Sequence, residues 1–233
     1  VPFELVMPGS GNNFDLSSTP RREVPALLHD GQVIFDSTII QEFIEETWTQ
    51  PSLLPGSASE RARVRMIEEI MDTQYEAVVW GFMEVVTFGR APGKAGESLL
   101  ERGHQQLSGL NAWLERELGE REWFNGPTFG WGDIAVVPFL LGAHFYGVDP
   151  GPETRLYNWL KRCLQRDSVA QTAQEFSDFS ALAGNAAAEA LRSGTYQREY
   201  RDHRLEWMLR SGGIEILQDG LAVGNIRFGT EIT

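Results

Sequence analysis

The sequence predicts an α+β chain in which a small mixed domain, residues 1–50, precedes an all-helical domain, residues 56–233. Three observations carry this. Two short apolar runs flank Asp30-Gly31 and then give way to helical spacing; Thr49 to Ser57 is punctuated by Pro51 and Pro55; and long segments of helical periodicity follow.

In chain order, Pro2-Phe3-Glu4-Leu5-Val6 reads as a lone strand, and Ser10, Ser17 and Ser18 read as polar turn residues beside Gly9, Gly11 and Asn12. Val24 to Leu28, opened by Pro25, and Val33 to Phe35 read as paired strands, because Asp-Gly is a strong hairpin dipeptide. Ile39, Ile40, Phe43 and Ile44 then recur at helical spacing, with Asp36 or Ser37 as N-cap. After the linker, Ala62, Met66, Ile67, Ile70, Met71, Gln74, Tyr75, Val78 and Val79 predict one long helix from Ser59 toward Phe88, ended by Gly89 to Gly96. A second helix covers Ser98 to Leu118, with Leu99, Leu107, Leu110, Trp113 and Leu114 toward the core. Helices are further expected over Glu153 to Gln165, from Val169 behind an Asp167-Ser168 cap, and from Ala186 to about Arg210. Beyond about residue 190 runs an extension in which Gly212-Gly213 is followed by the apolar stretches Ile214 to Leu221 and Ile226 to Phe228.

Composition excludes several function classes. A net charge of −13 and a pI near 4.8 argue against nucleic acid and anionic membranes as partners. No apolar run approaches the roughly 18 residues of a membrane span, and no signal-peptide pattern opens the chain. The single cysteine, Cys163, precludes an internal disulfide framework, suits a reducing compartment, and lies in a helical pattern as a small buried hydrophobe. His29, His104, His144 and His203 lack ligand-spaced partners, so no metal is expected. Phosphate loops, dinucleotide fingerprints and Gly-x-Ser-x-Gly elbows are absent from the sequence.

A helix start carrying Asp36 and Ser37 is either a capped terminus or an anion site, since orphan N–H groups and the macrodipole both favour negative charge there. The order Val24-Pro25-x-Leu27, hairpin, Asp36-Ser37, apolar helix resembles the glutathione-site half of the thioredoxin-like domain in the cytosolic glutathione transferase family. A second resemblance lies at Trp123 to Ala135, similar to the motif that opens that family's buried central helix, with Asp133 kept and Gly130 in place of a hydroxyl residue. On capping propensity alone that glycine costs a few tenths of a kcal/mol. Asp133 is read as a folding residue that accepts backbone N–H groups.

The resemblance implies a thioredoxin-like domain lacking its first strand and helix, followed by the family's helical C-terminal domain. It implies a cis Val24–Pro25 bond, with the Val24 backbone meeting the cysteinyl part of glutathione, Asp36 the γ-glutamyl ammonium and Ser37 the α-carboxylate. Glu23 stands where a basic residue often meets the glycyl end, which Arg21 or Arg22 would have to offset. The Ser, Tyr or Cys that activates the thiol belongs to the segment before this chain's first strand, so the catalytic residue is unassigned and the chain is expected to be an N-terminally shortened piece. By the same analogy Trp80, Met83, Phe88 and Tyr146, together with Phe82, line a hydrophobic substrate site, unless each is simply core. The expected protein is a cytoplasmic homodimer that uses glutathione as cosubstrate to conjugate or thiolytically cleave a hydrophobic electrophile, a detoxification chemistry. The other class is a non-catalytic binding or assembly protein on the same fold. The C-terminal extension is expected to fold back over the ligand cleft or the dimer contact.

Overall fold

Asp30 and Gly31 take φ of 49° and 81°, the left-handed values that a two-residue hairpin turn requires. They join β1 (Ala26–His29) to β2 (Gln32–Phe35) in an antiparallel register that sets Ala26 against Phe35 and His29 against Gln32. Helix α1 (Ser37–Thr47) packs on this hairpin, with the Phe43 ring edge-on to His29 at 5.2 Å and to Trp48 at 6.2 Å. The computed structural model describes residues 2–6, 19 and 24–227, with 181–185 described by backbone alone. These residues divide at Ser52/Leu53 into two compact units. Pro2 to Val6 form no strand, which corrects that expectation: a ladder needs a neighbour, and among the described residues none pairs with them. Ser10, Ser17, Ser18, Arg21, Arg22 and Glu23 lie outside the described residues.

The second unit is helical. Ser57 caps α2 (Ala58–Ile70) by accepting the Glu60 N–H at 3.2 Å. The rod continues through a π-helical turn (Met71–Tyr75), α3 (Glu76–Phe82) and a second π-helical turn (Met83–Thr87), so the single long helix expected from Ser59 carries two local unwindings. Its buried stripe is Val64, Ile67, Met71, Tyr75, Val78 and Phe82. Met66 is 62% exposed, and Ala62 and Gln74 are also exposed, contrary to the periodic reading. The stripe instead takes in Glu68, whose carboxylate is tolerable inside because the Trp131 indole N–H donates to it at 2.6 Å.

Helix α4 (Lys94–Leu118) starts ahead of the expected Ser98 and buries Leu99, Leu107, Leu114 and Leu118, with Leu110 and Trp113 half-buried against the core. It packs on α3, while α2 packs on α5 (Trp131–Phe145). Thr154 caps α6 (Arg155–Cys163), which carries the fully buried Cys163; burial and the nearby Asp133 push its thiol pKa up. Helix α7 (Asp167–Arg192) runs without a break through Ala186. The expected final helix from Ala186 to Arg210 is therefore two helices, separated where Gly194 takes φ of 75°. After that break β3 (Arg198–Glu199) pairs in parallel with β4 (Ile226–Arg227), enclosing α8 (Asp202–Arg210) and α9 (Ile214–Val223). Helix α8 packs on α3, where Gly81 leaves room for the Trp207 ring to lie against the backbone.

Gly130, the residue before α5, is held by space rather than by capping chemistry. A Cβ there would overlap the Asn125 amide and the Leu53 carbonyl oxygen, which itself accepts the Trp131 N–H at 2.8 Å. Capping propensity alone predicts that Gly130→Ser stabilises the protein slightly. The packing predicts the reverse, a loss of about 1–3 kcal/mol from overpacking, to be read from denaturant unfolding midpoints.

Candidate functional site

Because Ala26 faces Phe35, the residues entering β1 and those leaving β2 emerge at one end of the hairpin. Val24 and Pro25 lie on the entering side and Asp36 and Ser37 on the leaving side, so the register gathers the residues that the sequence singled out in the first unit. Val24–Pro25 is cis. Val24 is 63% exposed, and among the described residues the hairpin sheet has two strands, which leaves the outer edge of β1 without a strand partner.

Asp36 settles the choice of N-cap. Its Oδ1 accepts the N–H of Thr38 at 3.1 Å and of Ile39 at 3.4 Å, and Ser37 becomes the exposed first residue of α1. The same aspartate sits at φ 76° and ψ 129°, a conformation an L-residue adopts at a cost of order 1–3 kcal/mol and one that tends to occur at functional sites. Both capping bonds fall on Oδ1, so the cap does not consume the second carboxylate oxygen.

The candidates of the helical unit separate into two kinds. Trp80 is only 5% exposed, with Tyr200 edge-on at 4.6 Å and the Arg198 guanidinium over its ring at 4.5 Å; Phe82 is fully buried. Both are core. Met83, Phe88 and Tyr146 are half-buried near the second π-helical turn, and the Tyr146 hydroxyl lies 3.2 Å from Thr87 Oγ1. Burial raises the Tyr146 pKa against that hydrogen bond.

The C-terminal extension folds back onto this same turn. Glu84, fully buried, accepts Arg198 Nε at 2.5 Å and the Tyr200 hydroxyl at 2.9 Å, and Arg90 Nη1 lies 3.1 Å from its Oε2. Burial opposes the charged form of Arg198, but the Glu84 carboxylate outweighs it and raises the pKa, while burial and Glu84 both raise that of Tyr200. Sequence reading did not identify this network. The signal was an acid, Glu84, inside the otherwise apolar run Val78 to Phe88, since a buried charge must find a partner. A polar cavity of about 400 Å³ lies beside the first π-helical turn, lined in part by Gln74, Arg102, Gln106, His203 and Trp207. Glu76 anchors its edge: burial would raise its pKa, but His203 and Arg204 donate to it and hold it below the usual glutamate value. Among the described residues no cluster of His, Cys, Asp and Glu has the form of a metal site, and no helix is long and apolar enough to cross a membrane.

A hairpin leading into a helix, followed by a unit that is helical apart from the short β3–β4 pair, matches the later part of a thioredoxin-like domain and the helical domain of glutathione transferases, and the relatives agree. The family model described as the glutathione S-transferase C-terminal domain matches residues 97–162. Glutathione S-transferase U28 of Arabidopsis thaliana is 33% identical over 190 residues, 75% of this chain and 79% of the relative. The probable glutathione S-transferase parC of Nicotiana tabacum is 31% identical over 158 residues, 65% and 67% of the two chains. Among solved structures, rice GST1 in complex with glutathione superposes with a TM-score of 0.58 at 26% identity, covering 76% of this chain and 82% of its own. A Methylobacterium radiotolerans glutathione S-transferase in complex with glutathione sulfonate gives 0.60 at 25% identity, covering 72% and 80%. The chain belongs to the cytosolic glutathione S-transferase family.

Proposed function

We propose that the protein binds glutathione at the open end of the hairpin and directs its thiolate at a hydrophobic electrophile. The observation that carries this is the register: it brings Val24 and Pro25 together with Asp36 and the exposed Ser37 at a helix start. The Val24 backbone would pair with the cysteinyl unit as an added strand does, Asp36 Oδ2 would meet the γ-glutamyl ammonium, and the Ser37 hydroxyl and N–H its α-carboxylate. In conjugation the sulfur forms a bond to the electrophilic carbon, the leaving group departs with its electron pair, and the thiol proton passes to solvent. Met83, Phe88 and Tyr146 offer the apolar contacts. The reading includes a cytoplasmic homodimer engaged in detoxification.

Calorimetric titration of the chain with glutathione tests it through variants that separate binding from folding. Ser37→Ala is expected to weaken binding about ten- to a hundredfold, the worth of one or two hydrogen bonds to a charged group. Asp36→Gly keeps the fold, because glycine accepts φ of 76° and serves as an N-cap, yet removes the carboxylate that would meet the ammonium. Asp36→Ala loses both. A folded wild-type chain that does not bind glutathione, or an Asp36→Gly variant with undiminished affinity, defeats this assignment.

A further inference from the structure

The polar cavity of about 400 Å³ beside the first π-helical turn is completed by the C-terminal extension, whose helix α8 brings Trp207 and Arg210 to Arg102 and Gln106 of α4. Short π-helical turns frequently mark functional sites. Its walls offer donors in excess of acceptors. The Trp207 indole, which can only donate, gives its N–H to Gln106 Oε1 at 2.8 Å. That bond fixes the amide and leaves the Gln106 Nε2 hydrogens unbonded among the described residues. Ser211 lines the same space at 8% exposure, and its hydroxyl has no hydrogen-bond partner among the described residues.

The charges on the wall leave one cation over. Glu206 pairs with Arg210 at 3.1 Å, and His203 lies 3.0 Å from Glu76, which Arg204 also holds at 2.6 Å. Arg102 has no acid partner among the described residues. Its Nη1 donates to the Arg210 carbonyl oxygen at 3.3 Å, which anchors the guanidinium at the end of α8 and leaves its other N–H groups uncommitted. A guanidinium, an amide NH2 and a hydroxyl on one cavity wall are the complement of an oxyanion, and the charged member makes those hydrogen bonds the strong kind.

We propose that this cavity, built wholly by the helical unit, binds a small polar molecule carrying a carboxylate or phosphate group, held by Arg102, Gln106 Nε2 and the Ser211 hydroxyl. Its volume lies within the range of small-molecule sites, roughly 300–1,000 Å³. The site is independent of the glutathione reading, which rests on the hairpin.

The test follows the Trp207 indole N–H signal in ¹⁵N NMR spectra of the full chain, assigned with Trp207→Phe, at constant ionic strength. Succinate and inorganic phosphate are the probes, and succinamide, of the same shape as succinate but uncharged, is the control. At least one anion is expected to shift the signal saturably while succinamide does not, and the tighter of the two identifies the group. Arg102 is exposed, so Arg102→Gln should leave the other indole signals in place while weakening anion binding about tenfold or more. Glu206→Gln removes the acid on the wall and frees Arg210, and should strengthen binding about two- to fivefold. The proposal is overturned if neither anion shifts the signal saturably, if succinamide binds as tightly, or if Arg102→Gln binds the anion unchanged.

Discussion

Asp133→Ala is expected to lower the stability of the helical unit by about 3–5 kcal/mol. Asp133 is fully buried, and its carboxylate gathers donors from three segments of chain. Oδ1 accepts the Phe124 N–H and the Trp159 indole N–H, each at 2.8 Å; Oδ2 accepts the N–H of Gly130 at 3.0 Å and of Asn125 at 3.3 Å. The carboxylate thus ties the loop before α5 and the core face of α6 to the first turn of α5. Alanine leaves every one of these donors in the interior with no acceptor, at about 1–3 kcal/mol each if they acted independently. They share one site, so water entering the vacated space satisfies some of them together and the sum is not reached. Burial pushes the Asp133 pKa up in spite of these donors. A folded-state pKa above the unfolded value means that protonation does not favour unfolding, so Asp133 is not a source of acid lability. Chemical denaturation at neutral pH reads the effect; a loss below about 1 kcal/mol would show that the carboxylate is not what organises the loop.

The role of Asp133 was legible in the sequence because its motif is local: the acid lies three residues beyond the cap position it serves. The hairpin was legible for a similar reason, since Asp30-Gly31 fits a turn that few other dipeptides fit, and the register it sets gathers Val24, Pro25, Asp36 and Ser37. Legibility failed where polarity and burial part company. Met66 fits the core periodicity and is exposed, while Glu68, an acid two residues on, is buried because an indole from α5 supplies its hydrogen bond. Gly130 read as a weakened cap, whereas its constraint comes from Leu53 and Asn125, neither of them helix neighbours. The tail was misread as one helix because its periodicity continues through Ala186, and the strand that interrupts it is specified by pairing with Ile226 and Arg227, far along the chain. Helical spacing carries no information about such partners.

The same distinction underlies the second large effect, expected at Glu84. Glu84→Ala should cost about 3–5 kcal/mol, because it removes the acceptor of Arg198 and Tyr200 and the counter-charge of Arg90, leaving two guanidinium groups inside the protein. The penalty comes from the abandoned charges rather than from the worth of the pairs when intact. Exchanging Glu84 and Arg198 together for apolar residues of similar volume should therefore cost less than Glu84→Ala alone. Glu84→Gln keeps the shape and one acceptor oxygen but not the charge, and should fall between. Limited proteolysis adds a readout of place: Arg198 and Tyr200 belong to the segment between α7 and α8, so loss of their common acceptor should expose peptide bonds near Gly194 to Arg201 before the α2–α5 core opens. Cleavage spread evenly over the helical unit, or an apolar double replacement as costly as Glu84→Ala, would mean that packing by Trp207 against Gly81 holds the tail and the buried charges do not.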